Sequence, residues 1–485
     1  MESFTVSVDL GGGDDTIELF PPPVGEPPPD LPEPAYPSKW DLDFHGGSGD
    51  DVMTVQPCVV PGLDLTVVAN LGDGDDALHA AFAGPAAPAG AILPRISLDV
   101  AVGEGNDAIQ VAIGNPNELE PLRVAGVHGG VRGFGGDASG ILDVQNVAVT
   151  GRFTQFFDLG DGDDCVATTL TNVTVDGLLK QSVNAGDGAD EVGMIINGRF
   201  GAVAQKVHTG AGEDAVSLSW KGCEILGPAV TRMSLGEGDD EGTFFGDGSA
   251  HVAGSMAMTM NTGGGDDFAS VLIQDSEDFE AFEGPVVLRL RLGDGDDLAN
   301  VVVRDANDVA GPLTVGVTGG TGDDGIAADV DFTPRVRAGQ LDPGNAPASV
   351  LVALHGGTGL DTIDARTEGE WAGTARFILR GGDGEDAVGW HWGVGQGSTG
   401  ALAVDLDGGA GDDFVAAAEF VPTDQYVPVF MRLLGGAGGD VLSLSLLGGA
   451  ETTPEPHLFV LDGGDGFDLA RAPAGAIVRN CEGKA

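Results

Sequence analysis

Residues 292–324 read LGDGDDLANVVVRDANDVAGPLTVGVTGGTGDD, and the two ends of this stretch are the same turn. A G-x-G-x-D motif ends at Asp297 and again at Asp324, 27 residues later. Between them lie LANVVVRD, ANDVAG and PLTVGVTGG, alternating or β-branched runs separated by Gly, Asn and Asp. This is strand-turn-strand grammar with period two and no helical stripe. Asp164 to Asp190 repeats it with CVATTLT, NVTVDG and LLKQSVNAG.

Working outward, the motif ends seventeen times, at Asp15, Asp51, Asp76, Asp107, Asp137, Asp164, Asp190, Asp214, Asp240, Asp267, Asp297, Asp324, Asp361, Asp386, Asp413, Asp440 and Asp468. Sixteen intervals cover 453 residues, a mean of 28, so the spacing predicts one repeat array over 1–485 with about 17 coils. A repeat this short cannot bury both faces of its strands alone. Stacking like on like, at about 4.8 Å, buries inward Val, Leu, Ile and Phe in continuous columns. The expected fold is therefore all-β: a single-stranded parallel β-helix, or solenoid, three-faced at this coil length. Right-handedness is the default for parallel crossovers, though sheet twist rather than sequence decides it. A β-propeller blade needs about 40 residues or more; a hairpin ribbon or antiparallel sandwich is the other alternative.

Composition agrees with a repeat. Glycine numbers 82 of 485 residues, well above the roughly 7% of ordinary proteins, and the absence of a strict three-residue period excludes collagen. Apolar residues make up 42%, enough for a large core. With 76 acidic and 22 basic residues the formal charge is −54. Such a chain repels itself, and no basic patch is visible to attract nucleic acid or an anionic membrane. No apolar run is long enough to cross a bilayer, and the start, MESFTVSVDLGGGDD, shows no signal peptide. Cys58, Cys165, Cys223 and Cys481 are far apart and lack CxxC spacing, which reads as inert thiols rather than a metal site.

The turns hold 36 of the 76 acidic residues in 85 positions. Stacked in register, their carboxylates come within about 5 Å of one another and repel. A hard divalent cation relieves this, and calcium accepts carboxylate and carbonyl oxygens together. Seventeen turns offer sixteen gaps, so up to about 16 Ca²⁺ would supply +32 against −54. The expected ligands form one column: Asp15, Asp51, Asp76, Asp107, Asp164, Asp190, Asp214, Asp240, Asp267, Asp297, Asp324, Asp361, Asp386, Asp413, Asp440 and Asp468. The plain alternative is Asp-Gly turns ending strands, without metal.

The turn resembles the GGxGxD nonapeptide of RTX, or haemolysin-type, calcium-binding repeats. The closest copies are Gly46–Asp51, Gly319–Asp324, Gly356–Asp361, Gly381–Asp386 and Gly408–Asp413. The resemblance implies that turn carbonyls and the final Asp clasp calcium, with Asp51, Asp324, Asp361, Asp386 and Asp413 as direct ligands. The chain departs from the family in carrying one motif per coil rather than one every nine residues. Its first glycine is replaced in ten of seventeen turns, as at Leu71, Leu159, Leu235 and Leu292. The turns at Asp137, Asp440 and Asp468 lack an acidic penultimate residue.

Three excursions and a tail break the rhythm. Residues 21–37 are proline-rich and must leave the coil; 331–347, with Arg335 and Arg337, read as a lateral loop. The acidic 275–284 segment carries Phe279 and Phe282, expected to fold back onto the body, and 469–485 reads as a C-terminal cap. Trp390 and Trp392, with Trp371 about one coil earlier, form either a core layer or a platform for stacking on a sugar ring. No HExxH occurs, and no GxSxG elbow precedes a triad. The expected function is a calcium-stabilised structural or adhesive protein, secreted or at the cell surface. Its expected partners are calcium, surface glycans or copies of itself end to end. A carbohydrate-active enzyme on the same scaffold is the alternative.

Overall fold

In RISLDVA, Arg95–Ala101, Ile96, Leu98 and Val100 are buried while their neighbours are not. The same period-two burial runs through strand after strand, and it fixes which face of each coil forms the core. The computed structural model describes residues 4–19, 39–57, 59, 62–84, 94–114, 120–133, 135–248, 250–275, 282–304, 311–332, 335–337, 340–342, 349–369, 373–394, 400–420, 428–447 and 457–484. Among these there are strands and no helix. The chain divides into two compact units, Met1–Thr231 and Arg232–Ala485. Each is a parallel β-solenoid, as the repeat predicts.

In the first unit, the strands that lead into each turn stack in register. One file runs from the half-buried Trp40 through the core residues Leu65, Ile96, Val127, Phe153, Leu179 and Val203. The strands that leave each turn stack in a second ladder, with Met53, Leu78, Ile109, Gly140, Val166, Val192 and Val216 in file. Gly140 is no gap, because the Phe157 ring occupies the place of its side chain. A third, short ladder joins Leu122–Val124 to Val147–Val149, Val173–Val175, Gly198–Phe200 and Cys223–Ile225. An asparagine file turns its corner: Asn172 Nδ2 donates to Asn146 Oδ1, and Asn197 Oδ1 accepts from the Asn172 amide, each at 3.0 Å. Asn146 and Asn172 take positive φ there, 54° and 53°, which Asn tolerates better than most residues.

The second unit repeats the two long ladders. Met258, Leu288, Val315, Val352, Phe377, Val404 and Met431 form one file. Phe244, Val271, Val301, Ala328, Ala365, Trp390, Ala417 and Leu444 form the other. The small Ala365 and Ala417 on either side make room for the Trp390 indole. Within 331–347 the described residues form a small antiparallel hairpin, Arg335–Arg337 with Gln340–Asp342. The proline-rich 21–37 stretch lies outside the described residues, as do Cys58, Phe279 and Trp371. Phe282 is buried.

The turn itself is held by close backbone approach. A Cβ on Gly186 would stand 1.5 Å from the Gly160 carbonyl oxygen, and one on Gly212 would stand 1.8 Å from that of Gly188. Both glycines also have positive φ, 117° and 150°. Stacked turns therefore demand glycine twice over, for conformation and for space.

Candidate metal centre

The final Asp of the motif points inward in the described coils after the first, except at Asp137. Asp51, Asp76, Asp107, Asp164, Asp190, Asp214, Asp240, Asp267, Asp297, Asp324, Asp361, Asp386, Asp413, Asp440 and Asp468 are all buried, and Asp15 is half-buried. Within each unit, apart from a break at Ala138, each is tied to its neighbour by one repeated bond. The Asp51 amide donates to Asp76 Oδ1 at 2.8 Å, and the Asp76 amide to Asp107 Oδ1 at 2.9 Å. In the second unit the file runs from Asp240 through Asp267, Asp297, Asp324, Asp361, Asp386, Asp413 and Asp440 to Asp468, at 2.8–3.1 Å. Asp468 has no following Asp, and its amide donates instead to Glu482 Oε2 at 2.8 Å.

The penultimate acid forms a second, exposed file with the opposite sense. Here the later coil donates: the Asp75 amide to Asp50 Oδ1 at 3.0 Å, Asp266 to Asp239 at 2.9 Å, Asp296 to Asp266 at 2.9 Å and Asp323 to Asp296 at 2.8 Å. Leu360 and Gly439 supply only the amide, to Asp323 and Asp412. So the penultimate aspartates have a hydrogen-bonding reason to exist: Asp50, Asp239, Asp266, Asp296, Asp323 and Asp412 each answer one turn N–H of a neighbouring coil.

One turn is framed differently from its sequence reading. Asp137 is exposed and stands in the outer file, donating its amide to Asn106 Oδ1 and accepting from the Asp163 amide. The inward place belongs to Ala138, whose amide donates to Asp164 Oδ1 at 2.7 Å. That coil carries no inward carboxylate. Its motif is displaced by one residue because Gly136, not Gly135, stacks on Gly105.

The inner file is electrostatically uneasy. Burial, reinforced by neighbouring carboxylates, pushes Asp76, Asp107, Asp297, Asp386 and Asp413 up to about 6. It carries Asp164, Asp190 and Asp324 to about 7. Amide donors pull the other way and do not offset it. One oxygen of each carboxylate takes the amide; the second, Oδ2, is buried and has no hydrogen-bond partner in Asp51, Asp76, Asp107, Asp164, Asp190, Asp297, Asp324, Asp361, Asp386, Asp413, Asp440 and Asp468. Such an atom costs about 1–3 kcal/mol, more when charged.

Whether a cation fits depends on the first residue of the turn. Where it is glycine, Oδ2 and a backbone carbonyl of the next turn converge on the place a Cβ would take. A Cβ on Gly319 would stand 2.1 Å from Asp324 Oδ2 and 2.3 Å from the Gly356 carbonyl; on Gly381, 2.3 Å from Asp386 Oδ2 and 2.4 Å from the Gly408 carbonyl. Gly408 and Gly435 repeat the arrangement. Carboxylate plus backbone carbonyl is a hard, all-oxygen donor set suited to calcium. Leu71, Leu159, Leu235 and Leu292 are buried at the same position and put a side chain there instead. Thr209 and Thr262 instead supply a hydroxyl to Asp214 and Asp267. No three His, Cys, Asp or Glu side chains converge among the described residues, so backbone oxygens must complete any coordination shell.

The other candidate site is corrected by burial. Trp390 is 0% and Trp392 4% exposed, with ring centroids 5.5 Å apart and Trp390 also 5.8 Å from Phe377. The two indoles are a core layer rather than a sugar platform, because the alternation that pairs them turns both inward. His391 faces outward between them and meets Asp364 at 3.0 Å. Cys165 and Cys481 form no disulfide, and the Cys223 thiol donates to the Ile196 carbonyl at 3.0 Å.

No protein-family model, curated protein or solved structure matches the chain. What is established is a β-solenoid repeat protein whose buried aspartates are hydrogen-bonded turn to turn. The RTX likeness rests on the turn residues.

Proposed function

We propose that the chain is a calcium-stabilised, RTX-like scaffold, acting outside the cell as a structural or adhesive element. The observation that carries this reading is the file of buried Oδ2 atoms without hydrogen-bond partners. Calcium beside them would supply the positive charge that the described residues do not. The chain's own residues do the remaining work. Amides hold each Oδ1 in place, the first glycine keeps the approach open, and the next turn offers its carbonyl. Gly319, Gly356, Gly381, Gly408, Gly435 and Gly463 begin six consecutive turns, so the firmest sites involve Asp324, Asp361, Asp386, Asp413, Asp440 and Asp468.

The test compares thermal melts at pH 8 in millimolar calcium and in EGTA, with ion counting by native mass spectrometry. Calcium should raise the melting temperature and bind in several copies. Asp361→Asn should lower both in calcium, yet be neutral or stabilising in EGTA, where it removes a buried like charge. Equal damage in both buffers would mean that the aspartates serve hydrogen bonding alone.

A further inference from the structure

The second unit carries a local reversal of charge. In Val286–Asp294, VVLRLRLGD, alternation turns Arg289 and Arg291 outward. Register then sets Arg291 beside Thr318, His355 and Arg380 on successive coils, and Arg289 beside Gly316, Ala353 and Ile378. Rows of this kind step by about 4.8 Å per coil. Three of the chain's 22 basic residues and a histidine thus meet on one face, though 91 positions separate Arg289 from Arg380 in sequence.

Between them the surface is hollow. Gly316 and Ala353 are the short residues of their row, and a Cβ on Gly316 would meet nothing within 4 Å. The hollow holds about 400 Å³ and is lined by Arg289, Arg291, Thr318, His355, Ile378 and Arg380, among others, with no acidic residue in its lining. Elsewhere Arg132, Arg199, Arg366 and Arg432 are engaged in ion pairs: Arg432 grips Asp405 at 2.7 and 2.8 Å, and Arg132 meets Asp99 at 2.9 Å. Among the described residues, no ion pair to Arg289, Arg291, Arg380 or His355 forms. Asp407 follows Arg380 in its row and feels the charge of Arg380 and His355; Arg289 and Arg291 stand at the other end.

We propose that this hollow binds a small acidic saccharide, one or two rings carrying carboxylate or sulfate. Guanidinium forks grip such oxyanions two-pronged. Arg289 and Arg291 at one rim and Arg380 at the other take the charged groups. The Thr318 hydroxyl takes a ring hydroxyl, and Gly316, Ala353 and Ile378 offer an apolar floor to ring C–H groups. The volume lies within the range of small-ligand sites. The strongly acidic surroundings repel a long polyanion while admitting a short one.

The experiment titrates the intact protein, in calcium buffer, with a glucuronate-containing disaccharide, its neutral glucose counterpart and inorganic sulfate. Calorimetry or ligand-observed NMR is the readout. Saturable binding of the acidic disaccharide is expected, at least about tenfold tighter than that of the neutral one and weakened by salt. The double variant Arg291→Gln/Arg380→Gln should lose about tenfold or more with an unchanged melting temperature, whereas Arg132→Gln should change nothing. Three outcomes overturn the proposal. The first is no saturation by any probe up to about 10 mM; the second is sulfate binding as tightly as the disaccharide. The third is self-association of the protein, abolished by the double variant, with no probe bound, which would make the hollow a dock for an acidic turn of another copy.

Discussion

A single methyl group measures how tightly the turns are stacked. Gly186→Ala would force a Cβ to 1.5 Å from the Gly160 carbonyl at a φ of 117°. The expected cost is large, about 3 kcal/mol or more. Gly316→Ala should be nearly neutral in stability, since open space lies above it, and urea unfolding of the two variants in calcium checks the contrast. Asp-rich turns were legible as a repeat because Gly and Asp recur at fixed offsets. Which atom each Asp serves was not legible, because inner and outer carboxylates look alike in sequence. Asp137 is the sharpest case: the spelling GFGGDA fits the motif one residue early, and only the stacking of Gly136 on Gly105 moves Ala138 into the inner place.

Among the strands, volumes are matched between coils rather than within one. Trp390 lies between Ala365 and Ala417 in file, so Trp390→Ala should cost about 3–5 kcal/mol, read as a fall in the denaturant midpoint. The core of the first unit also holds a polar file that patterning missed. Gln181 Nε2 donates to Gln155 Oε1 and Gln205 Nε2 to Gln181 Oε1, each at 2.9 Å, while Trp220 Nε1 donates to Gln205 Oε1 at 2.8 Å. Gln181→Leu would leave the Gln205 amide and the Gln155 carbonyl stranded, at about 1–3 kcal/mol each. Glutamine in LLKQSV reads as a surface residue, and only its register partners reveal it as a rung. The arginine hollow escaped for the same reason: sequence reading finds charge runs along the chain, while the solenoid gathers charge across it.

At the scale of the whole protein the aspartate file sets a pH response. Folded values of about 6 to 7 at Asp76, Asp107, Asp164, Asp190, Asp297, Asp324, Asp386 and Asp413 lie above the usual 3.8. The folded chain therefore holds more protons than the unfolded one across that window. Its metal-free stability is full below the ordinary carboxylate value and is lost as pH rises through 6 and 7. Without calcium the protein should melt higher at pH 5 than at pH 8, and calcium should erase the difference. An EGTA melt that improves steadily from pH 5 to 8 would contradict this.

The opposed senses of the two aspartate files carry one more consequence. Apart from the Ala138 coil, the inner half-bonds that an interior turn presents to the turn before it and the turn after it repeat within each unit, so one coil can stand in for another. Glu482, a longer side chain borrowed from the tail, already impersonates the missing Asp beyond Asp468. Excising residues 387–413, so that Asp386 runs directly into Phe414, should leave a shorter protein whose seam cannot be told from its other joints. Lengthening by duplication should be equally tolerated, which makes coil number in such a chain a freely adjustable dimension.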